Sequence, residues 1–325
     1  MVVIVRRLKK LLTHLKKITP WVVACIIFYF LFKRYPITRL LAATHDSNLL
    51  FLISFSVTYF FYIWWMDCWS LARILTRFDI PTKTREVFQG RATSYLVMLL
   101  NYAVGQGSLS YFISQRQKTP FLKVTSTILF ISVIDLYWVI SFAFVGSLLI
   151  PPVVSGISLS TPIRTLWILT TAGLLTVSLL AHLKLADRFS WLQNWSLFHV
   201  LRHGHVRHYL ATLLERLPMH IAINTCLFFV AWGFHSIIPL GRILSAVPVV
   251  ILAGTIPITP GGLGTVQVAT VALLKDAITS PAITAKKITA EELLFSISLF
   301  WLFANYSLKA LFGFSWLVFR KDPPQ

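Results

Sequence analysis

The stretch with the most to offer chemically is residues 256–270, IPITPGGLGTVQVAT. Pro257 and Pro260 have no backbone N–H to donate, and Gly261, Gly262 and Gly264 accept backbone angles that other residues resist, so a helix arriving here must stop. A second helix restarts near Thr265, and its first peptide N–H groups have no partner in a preceding turn. Together with the positive end of the helix dipole, they form a seat for an anion or a lipid headgroup, to which Gln267 adds a neutral side chain. The plainer alternative is a kinked span or a tight turn near the surface. A second interrupted region, 92–114, contains NYAVGQGSLS, where Asn101, Gly105, Gln106, Gly107 and Ser108 bring hydrogen-bonding groups and glycines into an apolar run.

Two ionisable residues stand inside apolar runs, Asp135 near the middle of one and Lys309 past the middle of the last, with Asn305 a turn before it. Intramembrane charge is costly and reads as functional by default, so the two would pair or line one cavity. Alternatively, Lys309 snorkels to the interface and Asp135 bonds to a nearby Ser or Tyr. Asp67, beside Trp64, Trp65 and Trp69, reads as part of an interfacial belt. His199 and His203 are one helical turn apart, as metal ligands can be, but no Cys, Asp or Glu accompanies them and Arg202 and Arg207 repel a cation. With His205, His208, Trp191, Trp195, Phe198 and Leu201 they fit an amphipathic helix resting on anionic headgroups, and no metal site is expected. Cys25, Cys68 and Cys226 lie in or beside apolar runs without redox spacing and read as buried, reduced thiols. There is no Ser/His/Asp order, aspartate-rich metal motif, HExxH or Walker motif, so the expectation is a protein with no catalytic residues and no cofactor.

The elements that position these groups are membrane helices. Of the 325 residues 56% are hydrophobic and 14% aromatic, gathered in long runs, and the mean hydropathy is +0.73. This is an all-α, polytopic integral membrane protein of one domain. The 30 Lys and Arg outnumber 11 Asp and Glu, a net charge of +19, yet they sit at the ends of apolar runs, which fits topology signals and anionic lipids rather than nucleic acid. Residues 1–20 alternate basic and leucine positions and should lie flat on an anionic membrane surface. Spanning runs fall at 18–32, 48–71, 124–150, 165–183, 219–238 and 293–319, separated in the middle by a polar stretch, 183–218.

Loop charges arrange these runs. The loop 73–91 has five basic residues, 116–123 three, 184–216 five, and the loops holding Arg164 and Arg242 one each. Strict alternation over eight crossings fails. It is recovered by six full spans plus two glycine-broken re-entrant hairpins, 92–114 and 243–274, entering from opposite faces, with both termini cytoplasmic. The halves, about 1–160 and 161–325, then form an inverted repeat, although Lys275, Lys286 and Lys287 count against an outer placement of the second hairpin.

TPGGLGTVQ, 259–267, resembles the late proline-glycine motif of the flippase-like transmembrane region of bacterial lysylphosphatidylglycerol synthases and their stand-alone relatives. Asn101 to Gly107, followed by Asp135, resembles that family's early pattern more loosely. The resemblance implies a polytopic protein of the bacterial inner membrane that moves or handles lipids, among them aminoacylated phospholipids, hopanoids or polyprenyl-linked sugars. Where the family carries an acidic residue, an arginine and a final glutamate, this chain has Ser108, Tyr111 and Gln267, which puts proton coupling through those positions in question. The leading expectation is lipid translocation without enzymatic chemistry. The headgroup, anionic or lipid-linked, would be held by Asn101, Gly105, Gln106, Gly107, Ser108, Asp135, Pro260, Gly261, Gly262, Gly264, Gln267 and Lys309. The alternatives are an accessory subunit delivering lipid to a partner enzyme and, further off, a lipid-linked transferase. With no ATP motif, transport would be downhill or driven by an ion.

Overall fold

The computed structural model describes residues 19, 21–154, 156–183, 199–200, 204–256 and 258–319. The expected surface helix in residues 1–20 falls almost entirely outside the described residues, and so do Pro257, His203 and the membrane-resting segment with Trp191, Trp195, Phe198 and Leu201. Helices α1 (Trp21–Arg34) and α2 (Ile37–His45) meet at 76°. The bend is local: Pro36 holds an extended backbone and has no N–H with which to continue α1. Then follow α3 (Leu49–Arg77), α4 (Thr84–Leu100), α5 (Tyr102–Gln117) and α6 (Phe121–Leu149). A two-residue hairpin, β1 (Val153–Val154) and β2 (Ile157–Ser158), leads to α7 (Ser160–His182). The second half contains α8 (Val206–Gly233), α9 (Leu240–Thr255), a 3-10 turn (Pro260–Gly262), α10 (Thr265–Leu274), α11 (Pro281–Thr284) and α12 (Ala290–Phe319).

Among the described residues five helices, α3, α6, α7, α8 and α12, are long and apolar enough to cross a bilayer, and α1 and α2 make a sixth span if taken as one bent element. The expected first span, 18–32, is therefore short of a straight crossing. The polar stretch 183–218 is also not all loop. Helix α8 begins at Val206 and runs straight through Pro218. Pro218 removes from the helix ladder the bond to the Leu214 carbonyl, and in the same turn the Leu213 carbonyl accepts the Trp138 indole N–H at 3.0 Å.

α3 and α8 lie antiparallel along most of their length: Asn48 N–H donates to Gly233 O at 2.8 Å at one end, Phe55 stacks on Phe229 at 5.3 Å, and Arg77 bonds to Glu215 at the other end. Helices α4 and α5 form a packed hairpin, and so do α9 and α10. The last long helix of each half packs on the first arm of the other half's hairpin, α6 on α9 and α12 on α4. Glycine sets both crossings. A Cβ on Gly146 would collide with the Leu244 carbonyl oxygen, and one on Gly313 would press on Leu96 and the Ala92 carbonyl.

Two apolar cores result. One surrounds Leu52, Val230, Ile243, Leu274 and Phe295; the other surrounds Leu75, Phe78, Ile113, Val124 and Tyr209. Along α8 the second core ends near Tyr209 and the first begins at Leu227, and the buried residues between them include the polar Thr212, Arg216, His220 and Asn224 beside Met219 and Cys226. Of the cysteines, Cys68 and Cys226 are buried as expected, whereas Cys25 is exposed on α1.

Candidate functional site

Between the two cores lies a connected set of charges. Arg216, only 2% exposed, donates through Nη1 to Asp67 Oδ1 at 2.7 Å and to Ser70 Oγ at 3.0 Å. Its Nε and Nη2 hold Asp135 Oδ1 and Oδ2 at 2.7 and 2.6 Å. The planar guanidinium fork thereby clamps two carboxylates from two other helices, a geometry that a lysine could not copy. The second oxygen of Asp67 lies 2.6 Å from Arg91 Nε on α4. His220 Nε2 is 3.0 Å from Asp135 Oδ1, one turn along α8 from Arg216. Buried charges persist only when paired this way, since an unpaired one costs several kcal/mol, on the order of 3–5.

The set reaches outward through the first hairpin. Arg91 Nη1 donates to Gln106 Oε1 at 3.1 Å, and Gln106 Nε2 donates to the Tyr102 hydroxyl at 2.6 Å. Here the ionic set stops being enclosed. Tyr102 is 56% exposed, the Asp135 side chain 21%, and open space surrounds Gly107. Lys309 of α12 holds its ammonium 6.0 Å from the Tyr95 ring, within electrostatic range of Asp67 and Arg91. Asp67 and Asp135 are balanced by Arg91 and Arg216, so Lys309 leaves the group with one positive charge over.

Of the expected site residues, then, Gln106, Asp135 and Lys309 belong to one polar centre. Asp135 and Lys309 do not pair with each other, because Arg216 and His220 occupy both Asp135 oxygens. Asp67 is not an interfacial residue. It is 8% exposed and carries two arginines, because α4 and α8 close over its face of α3. Arg91, Arg216 and His220 were missed by the sequence reading. In the chain alone the first two read as loop charges, and Pro218 reads as the end of the polar stretch 183–218, inside which α8 already begins. A signal was present: Thr212, Arg216, His220 and Asn224 recur every four residues, one helical face, and all four are buried. Moving Arg91 and Arg216 inside leaves four of five basic residues in each of the two loops, still well above the single arginines of the others.

The first hairpin breaks at Asn101 rather than at glycine. Asn101 is extended, and its Oδ1 accepts the Val104 N–H at 3.1 Å, capping α5. Gly105 is a packing residue, since a Cβ there would strike Met98 of α4, and Ser108 is half-buried within α5. At the second hairpin the break falls as expected. Gly261, Gly262 and Gly264 have φ of 58°, 73° and 86°, left-handed values that favour glycine. Pro260 opens the 3-10 turn. Two of the N–H groups there are already used: Gly262 donates to Thr259 O at 3.3 Å, and Gly264 to Gln267 Oε1 at 2.8 Å. Gln267 is 1% exposed and caps α10, so it is a structural acceptor and not a group that reaches for a headgroup. In the histidine cluster, His199 is buried with Nε2 2.8 Å from Phe78 O, facing protein rather than headgroups.

A cavity of about 980 Å³ lies apart from the ionic set, beside α10. Its wall is apolar, from α1 (Ile26, Phe30) and α10 (Val268, Val271), and Arg34, Arg242, Lys275, Asp276 and Glu291 are the charged residues lining it. Glu291 ties two of these elements together, 2.8 Å from Arg34 and 3.7 Å from Lys275. An apolar wall with charges of both signs suits an amphiphile.

A family model described as the lysylphosphatidylglycerol synthase TM region matches residues 18–311. No curated protein and no solved structure matches the chain. The match runs from before α1 into the last turns of α12 and takes in both hairpins and every member of the ionic set: the chain belongs to the lysylphosphatidylglycerol synthase TM region family.

Proposed function

We propose that this integral membrane protein handles lipids without covalent chemistry, receiving an anionic headgroup at the open edge of the ionic set and passing it between leaflets. The observation that carries this reading is a surplus positive charge, Lys309 beside the Asp67–Arg91 pair, inside an apolar bundle and next to an opening at Tyr102, Gln106 and Gly107. A phosphate there would be met by Lys309 and Arg91, with Gln106, Tyr102 and Ser108 adding neutral hydrogen bonds. The cavity beside α10 offers the matching amphiphile surface near the other hairpin. The family, described by the name of a lipid-aminoacylating synthase, supports a lipid as the ligand.

We further read the halves as inverted repeats, with α3, α4, α5 and α6 corresponding to α8, α9, α10 and α12. Three features support it: α3 and α8 run antiparallel, each hairpin packs its two arms together, and the last helices exchange hairpins reciprocally. A two-fold relation between antiparallel partners has its axis across the helices, which is the inverted arrangement. The loop charges favour both termini on the cytoplasmic side, and the family supports a bacterial inner membrane as the setting.

The test is leaflet exchange of fluorescent phosphatidylglycerol in liposomes holding the purified protein. Exchange well above protein-free liposomes is expected, and Lys309→Gln should slow it about tenfold to a hundredfold, the loss of one charge-assisted contact of roughly 1.5–3 kcal/mol. Absence of exchange, with lipid product formed only when a modifying enzyme is added, would instead make the chain an accessory subunit.

A further inference from the structure

The polar face of α8 holds more than lipid binding uses. Thr212, Arg216, His220 and Asn224 form one buried row, about 18 Å long at 1.5 Å per residue, between two apolar cores. Two atoms of this row have no hydrogen-bond partner, His220 Nδ1 and Asn224 Oδ1, although His220 is 3% and Asn224 0% exposed. Leaving a buried polar atom unpartnered costs about 1–3 kcal/mol. Neighbouring groups are engaged: Asn224 Nδ2 donates to His220 O at 2.8 Å, and Arg216 makes four hydrogen bonds, to Asp67, Ser70 and both oxygens of Asp135. The orphaned pair therefore marks the place in the row where something else must bond, one atom being a basic ring nitrogen.

We propose that His220, within this row, carries protons, and that one proton travels with each anionic headgroup; the proposal rests on the lipid reading above and supplies its driving force. A carboxylate can only accept, so Asp135 selects the tautomer with the proton on Nε2 and leaves a lone pair on Nδ1. A proton from water adds to Nδ1, forming imidazolium. Loss of the Nε2 proton to Asp135, or of the new one back to water, restores the neutral ring, and no other bond is made or broken. Asp135 in turn sits at the edge that opens toward Gln106 and Tyr102.

The charges around His220 set the coupling. They are Asp135 from α6, Asp67 from α3, Arg91 from α4, Lys309 from α12 and Arg216 of its own helix. Arg164 of α7 and Arg242 of α9 stand near the starts of those helices, and farther along α8 the Cys226 thiol donates to the Ile223 carbonyl at 3.1 Å. With the ring neutral the set is one positive charge in excess; protonation makes it two, which a dry interior resists. An arriving phosphodiester removes one. Anion and proton consequently favour each other's binding, by the same factor in each direction.

The experiment uses the whole protein in liposomes with fluorescent phosphatidylglycerol, potential clamped by potassium and valinomycin, under a gradient of one pH unit, against protein-free liposomes. One proton per headgroup drives the leaflet ratio of the label up to about tenfold for that gradient, and the cotransported pair carries no net charge, so a potential imposed at equal pH shifts nothing. In His220→Gln, which keeps a donor for Asp135 but cannot be protonated, the ratio should stay where it lies without a gradient. Wild-type exchange with no shift, or an equal shift in His220→Gln, overturns the coupling. If the wild type exchanges no lipid, the lipid-moving reading falls, and the proton proposal is decided separately. Phosphatidylglycerol micelles added to detergent-solubilised protein in weak buffer with a pH dye should cause proton uptake in the wild type and not in His220→Gln; no uptake by the wild type overturns it. Asn224→Leu, which breaks the row without touching Asp135, should lose the shift as His220→Gln does.

Discussion

Arg216 is a single guanidinium shared by carboxylates from two other helices, and the consequences of removing it follow from that sharing. Arg216→Met leaves Asp135 with His220 alone and Asp67 with Arg91 alone, so it should destabilise the protein by about 3–5 kcal/mol, read as a lower unfolding midpoint in detergent. Adding Asp135→Asn to that variant should recover part of the loss, because the stranded charge is gone; a fully additive loss would mean that the two residues are not energetically joined. Gln267 is a different kind of residue. Its oxygen closes the start of α10, so Gln267→Ala should cost about 1 kcal/mol, while Gln267→Glu, which keeps the acceptor for the Gly264 N–H but buries a carboxylate with no cation beside it among the described residues, should cost more by the same measurement.

Helix contacts divide the glycines by what stands opposite them. At Gly146 the obstacle is a backbone oxygen of α9, which cannot rotate away; at Gly313 it is chiefly the Leu96 side chain, which can. Gly146→Ala should therefore reduce stability clearly more than Gly313→Ala, and Gly107→Ala, into open space within a helix, should raise it by up to about 1 kcal/mol. Thermal unfolding of the three variants gives the order. A reversed ranking of Gly146 and Gly313 would mean that the α6–α9 crossing is looser than its geometry indicates. The hairpins differ at their tips in the same physical way: the second turns on three left-handed glycines, while the first needs only one extended residue with a capping side chain, Asn101.

For the molecule as a whole, reciprocal packing of each last helix on the other half's hairpin makes the inverted arrangement testable by labelling. After replacement of Cys25, Cys68 and Cys226, single cysteines at Ser108 and at Ile258 should react with an impermeant thiol reagent from opposite faces of the membrane. Labelling of both from one face would remove the inverted repeat while leaving the ionic set untouched.

Much of this was legible in the chain before any coordinates. Long apolar runs require internally satisfied backbones, so helices and a membrane followed from composition, and the prolines and glycines of 256–264 stop a helix wherever it lies. Asp135 and Lys309 stood out because charge inside an apolar run is improbable without purpose. What the sequence could not decide was which charges were inside. Arg91, Arg216 and Asp67 sit among polar or aromatic neighbours and look like the margins of spans, and only the closing of α4 and α8 over α3 makes them interior. Gln267 and Asn101 likewise read as polar groups free to meet a ligand until the backbone supplied each with an N–H to cap. The reason is the same in both cases. A run of residues carries its own hydropathy and its own backbone preferences, but the partner of a charge or a hydrogen bond belongs to another element, and the tertiary packing alone chooses it.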